Sequence, residues 1–406
     1  MGCPVLRAGH LHEQSHRLRN EHGPLVQMEI VGGVAVWALT GHQVLHEAIA
    51  HPDVRKEVRH WQAWQQGHIG MDWPLISWVA PDNMLTADGR RHRRLRTLVS
   101  KAFTQRRVEQ LRPRVEQITA ELLADLDTVP GPVDLKARLA LPLPITVISE
   151  LFGVPAQQRK QMHELMHTVF DARTTPEQAA QAHEDMQQFL ADLARAKEDQ
   201  PGDDLTSALL AARAEDEDRL SHTELVWTLV LMIGAGYETT MNLITNAVRA
   251  LLEHPEQLAM AISGRLSWEA VVEETLRWDA SIQYLPLRYT AAPVRLAGVT
   301  IPAGQALLMG LGAAGRDPDQ HGARAEQFDA TRSQEPNLAF SYGPHFCLGA
   351  ALARLEATTA LRMLFERRPH LRLADEPGTR EPSLVASSWE QLLVHPGTPV
   401  SSSVSP

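Results

Sequence analysis

The sequence predicts a mainly α-helical fold with a small β region, on three observations. Amphipathic helical periodicity runs through residues 108–129, 155–171 and 176–199. A capping box at Ser221-His-Thr-Glu224 opens the longest helical run, which continues to about Glu253. The β signal is confined to short stretches, and residues 27–39 carry the clearest. There Val31, Val34, Val36 and Trp37 flank Gly32-Gly33 as in a hairpin.

Hydrophobic residues make up 44% of the 406, enough for a large core. No Gly/Ser-rich or Pro-rich linker and no internal repeat divides the chain, so one domain over residues 1–406 is expected. A net charge of −10 disfavours nucleic-acid binding. With Cys3 and Cys347 as the two cysteines, a disulfide framework is out of reach and a reducing cytoplasm fits. The first thirty residues carry charge and histidine and lack the apolar centre of a signal peptide. The longest apolar run, Leu225 to Gly236, is broken by Thr228 and is too short to span a bilayer. The expectation is a cytoplasmic protein with no membrane contact, fraying at its Ser-Ser-Ser-Val-Ser-Pro end.

After the hairpin, helical periodicity returns from about His42 to Ala50. Residues Trp61–Leu85 hold Trp61, Trp64, Trp73 and Trp78 among Gly67, Gly70, Pro74 and Pro81, and they keep no period. This reads as a long aromatic-rich loop with at most short helices. Its tryptophans either pin it to the core or line a binding site. From Gly89 to Arg107 come eight arginines and lysines, Lys101 among them, and no acid, over one apolar helical face. His92 and Arg96 stand four apart, so they can meet one anion together. The other cations suit docking of an acidic partner, or simply a solvated face.

The capped helix carries Gly234-Ala235-Gly236-Tyr237-Glu238-Thr239-Thr240 at its centre. Two mid-helix glycines cost about 1 kcal/mol each relative to alanine, so they call for a reason. Omitting side chains there opens a groove, and Glu238 and Thr239 place an acid and an alcohol beside it. A hydroxyl can hold an oxygen or a water while a carboxylate relays protons. Glu274-Thr-Leu-Arg277 lies on a later helix, with its charges three apart and able to pair.

The stretch Phe340-Ser-Tyr-Gly-Pro-His-Phe-Cys347-Leu-Gly349 organises the rest. It sets one cysteine at the start of an apolar helix, where backbone N–H groups and the helix dipole favour the thiolate. Gly343 allows a positive-φ turn, and Gly349 allows close approach of something flat. A free cysteine is commonly a buried structural residue, but here five positions of a longer pattern are specified.

That pattern resembles the heme-binding loop of the cytochrome P-450 family, Phe-x-x-Gly-x-His-x-Cys-x-Gly, at Phe340, Gly343, His345, Cys347 and Gly349. Ala235-Gly236-Tyr237-Glu238-Thr239 resembles its oxygen-activation motif, and Glu274-x-x-Arg277 its proximal brace, in the family's order. The resemblance implies heme b with Cys347 as the metal ligand, an axial thiolate that favours O–O cleavage. It assigns Thr239 to dioxygen positioning and Glu238 to proton delivery. It places His92, Arg96, Arg288 and His345 on the heme propionates and Ala235 and Gly236 against the heme. Two departures stand out: Gln327 where the third brace has arginine, with Arg332 as the other candidate, and Gly315 where asparagine is common before Arg316-Asp317-Pro318.

The implied activity is that of a bacterial monooxygenase activating dioxygen with electrons from a ferredoxin and its reductase, NAD(P)H entering only through them. Its product is a hydroxylated small molecule, a secondary metabolite above all. Oxidative C–C or C–N coupling of aromatic or cyclic-dipeptide substrates stands as the alternative. A peroxide-using heme-thiolate enzyme and a heme sensor are further alternatives. Candidate substrate contacts are Trp61, Trp64, Met84, Leu85, Ala235, Gln283, Tyr284, Leu285, Ser387, Ser388 and Trp389.

Overall fold

The computed structural model describes residues 4–100, 103–129, 131–170, 174–215, 220–376 and 378–398. Cys3, Lys101 and the tail at 401–406 lie outside them. The chain opens with α1 (Leu11–His22), the hairpin β1 (Leu25–Ile30) and β2 (Val34–Leu39), α2 (His42–Ala50) and β3 (Val54–Arg55). The aromatic-rich stretch holds two single turns, α3 (Gln62–Gln65) and α4 (Ile76–Val79). Next come α5 (Gly89–Ser100), α6 (Gln105–Gln110), α7 (Arg112–Leu126), β4 (Val133–Asp134) and α8 (Pro142–Leu151). They lead to α9 (Arg159–Phe170), α10 (Pro176–Asp199), α11 (Leu205–Glu215) and the 32-residue α12 (His222–Glu253). The second half adds α13 (Pro255–Ile262), α14 (Trp268–Trp278), β5 (Leu285–Thr290), β6 (Val294–Leu296), β7 (Val299–Ile301) and β8 (Ala306–Met309). It ends with α15 (Leu311–Gly315), α16 (Pro318–His321), α17 (Ala350–Arg367), β9 (Arg372–Leu373) and β10 (Leu393–His395).

The mainly helical expectation holds, and the strands form one five-stranded sheet, β1-β2-β8-β5-β3, and two smaller ones. Ser221 caps α12 by a reciprocal capping box with Glu224. That helix is buried along most of its length and packs on α8, α10, α14 and α17, making it the axis of the largest apolar cluster. The glycine at 236 serves this packing. A Cβ there would fall 2.8 Å from Ile148 Cδ1 on α8, so its missing side chain admits a neighbouring helix.

In β5 the pairing with β8 skips from Leu285–Met309 to Arg288–Leu307. Pro286, having no N–H for the ladder, sits in that irregularity. Such a bulge re-aims the residue that follows. Arg288 emerges from it buried.

Two departures from the family pattern have local reasons. A Cβ at Gly315 would meet the Arg277 carbonyl at 2.0 Å, so only glycine fits where α15 crosses the end of α14. Arg277 and Glu274 pair through two 2.7 Å bonds, Nε to Oε2 and Nη2 to Oε1. Arg277 also donates to the carbonyls of Gly315, Ala325 and Gln327. Gln327 therefore takes part through its backbone, and it is Arg332 that reaches Glu274, at 3.3 Å.

Candidate active site

The cysteine loop has the predicted turn: Gly343 adopts φ 67° inside a single 3₁₀ turn, and Cys347 N–H donates to the Phe340 carbonyl at 2.9 Å. The sulfur faces the backbone N–H groups of Gly349 and Ala350 and the guanidiniums of Arg96 and Arg354. These favour the thiolate, as the sequence implied. Burial nevertheless outweighs them and pushes the Cys347 thiol up from its ordinary value. A cationic metal would reverse that balance by coordinating the sulfur.

Around the loop the structure gathers cations from three other segments. His92 on α5 lies against His345, the two rings tilted 35° with centroids 4.1 Å apart. Arg96, one turn on, donates to the Phe346 carbonyl at 2.6 Å. Arg288 comes from the bulged strand. Two residues absent from the sequence reading join them. Lys56 is buried and donates to the Leu287 carbonyl at 3.1 Å. Asp88, just before α5, accepts the backbone N–H of Lys56 at 2.6 Å and of Glu57 at 3.1 Å, and lies 3.9 Å from His345 Nε2.

The electrostatics of this cluster favour an anion. Burial, with Arg288 close by, depresses Lys56 to about 7 against the pull of Asp88. Burial pushes His345 down to about 3, with Arg288, His92 and Lys56 adding to it, although Asp88 acts the other way. Burial also brings Arg288 down to about 10. Burial opposes the Asp88 charge too, but the His345 and backbone bonds outweigh it and hold that carboxyl at about 2. Asp88 thus stands among the cations Arg96, Arg288 and Lys56, with burial favouring the neutral rings of His92 and His345 as N–H donors, a set that a buried dianion would complete.

On α12, Ala235 is exposed and Gly236, Glu238 and Thr239 are half-buried, between runs of buried residues at 232–234 and 240–248. The Thr239 hydroxyl donates to the Ala235 carbonyl at 2.8 Å, and that of Thr240 to the Gly236 carbonyl at 3.1 Å. Back-bonding of this kind bends a helix. The sequence reading gave the groove to missing side chains. In the structure Ile148 fills the space at Gly236, placing that residue against α8, and the open face is that of Ala235 and Thr239.

The substrate-contact candidates divide. Trp61 is 2% exposed, stacked 5.5 Å from Tyr289 and set against Trp73, so it pins the loop to the core. Tyr284 is fully buried and its hydroxyl meets Ser15 of α1 at 2.7 Å. Gln283 turns the same way, its Nε2 3.2 Å from His12. Ser387 donates to Asp279 at 2.6 Å, and Ser388 accepts from Lys136 at 3.3 Å. Trp389 lies between Arg249 and Arg380, 3.7 and 4.1 Å from its ring centre. In the structure the polar tips of Tyr284, Gln283, Ser387 and Ser388 are engaged by Ser15, His12, Asp279 and Lys136, and the Trp61 and Trp389 rings pack on Tyr289 and between two arginines. Met84 is buried in the main cluster, while Trp64, Leu85 and Leu285 are half-buried. Their phase along the strand and loop was not readable from residue type.

Known proteins decide the family. The cytochrome P450 family pattern matches residues 2–262 and 268–396. The chain belongs to the cytochrome P450 family. CYP154C4 from Streptomyces sp. W2061 superposes with a TM-score of 0.94 at 42% identity, covering 98% of this chain and 99% of that one. The 2-hydroxy-5-methyl-1-naphthoate 7-hydroxylase of Streptomyces carzinostaticus is 39% identical over 89% of both chains. The cytochrome P450 monooxygenase PikC of Streptomyces venezuelae is 40% identical over 89% of this chain and 85% of its own. This P450 is therefore a monooxygenase, and its family implies heme iron as cofactor.

The residues present fit that group. A Cβ built on Gly343 or Gly349 meets nothing within 4 Å, so the loop offers a bare backbone cradle beside the sulfur. The cation cluster supplies partners for two propionates. Among the described residues, no helix is long and apolar enough to cross a membrane.

Proposed function

We propose that this P450 is a single-domain enzyme that hydroxylates a natural product, with electrons arriving singly from a ferredoxin and its reductase and NAD(P)H used only through them. Heme held by Cys347 supplies the oxygen activation. His92, Arg96, Arg288 and His345, with Lys56 behind them, hold the propionates. Thr239 holds an oxygen or water by its hydroxyl, and Glu238 passes protons from outside. The observation that carries this is the partly open turn of α12 at Ala235, Gly236, Glu238 and Thr239, set between buried runs at residues 232–234 and 240–248.

One relative, named as a naphthoate hydroxylase, supports an aromatic substrate. Trp64, Leu85, Leu285 and Ala235 are the apolar candidates for touching it. Cysteine-loop docking of the ferredoxin falls to the exposed Arg93, Arg106 and Arg107. Arg91 and Arg94 are drawn toward Asp82 and Glu224.

The test uses Thr239→Ala and Glu238→Gln with ferredoxin, reductase and NADPH. Thr239→Ala should lower product formed per NADPH by about tenfold and release hydrogen peroxide instead, a modest share of what positioned acid–base groups contribute. Glu238→Gln should slow turnover by roughly 10²-fold. Unchanged coupling in Thr239→Ala would remove Thr239 from the reaction.

A further inference from the structure

The turn of α12 that carries Thr239 is held from outside the helix. Ser281, 6% exposed and between α14 and β5, donates its hydroxyl to the Thr239 carbonyl at 2.7 Å. A mid-helix carbonyl has its own partner four residues on, so this second donor tilts the peptide outward and stabilises a bend. Ala235 and Gly236 receive extra hydroxyl bonds from Thr239 and Thr240 in the same turn. Three extra bonds fall within six residues.

The anchor behind Ser281 is rigid. Its carbonyl accepts the Ser387 N–H at 2.9 Å. Two residues earlier, buried Asp279 accepts from Ser387 Oγ and Arg380 Nη2 at 2.6 Å each and meets His12 Nε2 at 2.9 Å. Asn246 of α12 donates to the Asp279 carbonyl at 3.1 Å and to the Ser387 carbonyl at 3.3 Å. Thr239 and Asn246 are seven residues apart, two turns and about 10 Å along one face. The helix is therefore clamped at two points to a segment that ties α1 to the C-terminal turn.

We propose that Ser281 is a positioning residue for the oxygen-handling step, fixing the bend of α12 so that the Thr239 side chain is held where dioxygen binds. It acts through Thr239 and rests on the reading of Thr239 given above. The serine hydroxyl is the only part of residue 281 the proposal requires, so a threonine should serve and an alanine should not.

The experiment compares Ser281→Ala, Ser281→Thr and Thr239→Ala in the heme-loaded enzyme. Ser281→Ala should raise peroxide released per NADPH severalfold with substrate KM unchanged, and Ser281→Thr should restore coupling. Amide hydrogen exchange in the peptide spanning residues 235–246 should be faster in Ser281→Ala than in wild type, a readout that does not depend on turnover. Ser281→Cys, a weak donor of similar size, serves if the alanine variant does not retain heme. If Thr239→Ala uncouples and Ser281→Ala neither uncouples nor speeds exchange, Ser281 has no positioning role. If Thr239→Ala itself stays coupled, the Thr239 reading fails and takes this one with it.

Discussion

Arg332 stands 3.3 Å from Glu274, and Arg277 grips the same carboxylate through two 2.7 Å bonds. One buried acid is shared by two guanidiniums from segments 55 residues apart in sequence, since 332 − 277 = 55. The Asp329 N–H also donates to this carboxylate, at 2.7 Å.

Truncating Arg277 leaves Glu274 charged, buried and short of its main partner, which should cost about 3–5 kcal/mol. Arg332→Ala removes the ion-pair contact with Glu274 together with bonds to the carbonyls of His321 and Arg324, and should cost roughly 1–3 kcal/mol. Thermal unfolding of the two variants should rank them in that order. An Arg332→Ala variant as stable as wild type would mean that this P450 lacks the third brace.

Arg288 is a buried cation beside the cysteine loop, and Asp88 is the acid whose charge acts on it. Arg288→Leu keeps the volume and removes the charge. Heme transfer to an acceptor protein should then be faster by roughly tenfold or more, the worth of a hydrogen bond to a charged group. Wild-type retention would place the propionates elsewhere.

The exposed arginines of α5 and α6 define the docking test. Arg93→Glu and Arg107→Glu should each raise the KM for ferredoxin while leaving kcat at saturating ferredoxin unchanged. Rising salt should narrow the gap from wild type, because screened charges steer less. Equal KM values at low salt would assign this face to solvent.

Glu356 of α17 is buried, its Oε2 without a hydrogen-bond partner among the described residues, and burial raises its carboxyl from 4.5 to about 8. The folded chain therefore keeps a proton that the unfolded chain gives up. Stability from this group is full below about 4.5 and is lost as pH rises, until the folded carboxyl itself ionises near 8. Glu356→Gln should gain on wild type in melting temperature between pH 5 and pH 8, the window of that shift. A constant difference across that range would contradict the assignment.

What was legible in the sequence was local. The Cys347 loop, the capped α12 and the Glu274–Arg277 pair each announce themselves within ten residues, because turn, cap and helix-face chemistry act over that span. Lys56 and Asp88 were missed because their partnership crosses 32 residues, and a single lysine among charged neighbours reads as surface. The engagement of Gln283, Tyr284 and Ser387 was not readable for a related reason: their partners His12, Ser15 and Asp279 are far away in sequence. Gly236 carried the right motif for a different local reason, the approach of Ile148.

The central claim is that Cys347 ligates heme iron as a thiolate. The reduced, CO-bound absorption spectrum of the purified protein tests it in one measurement. The expected result is the strongly red-shifted Soret band of a thiolate-bound heme, lost in Cys347→Ser. An unshifted, histidine-like band in the freshly reduced wild-type protein would contradict it.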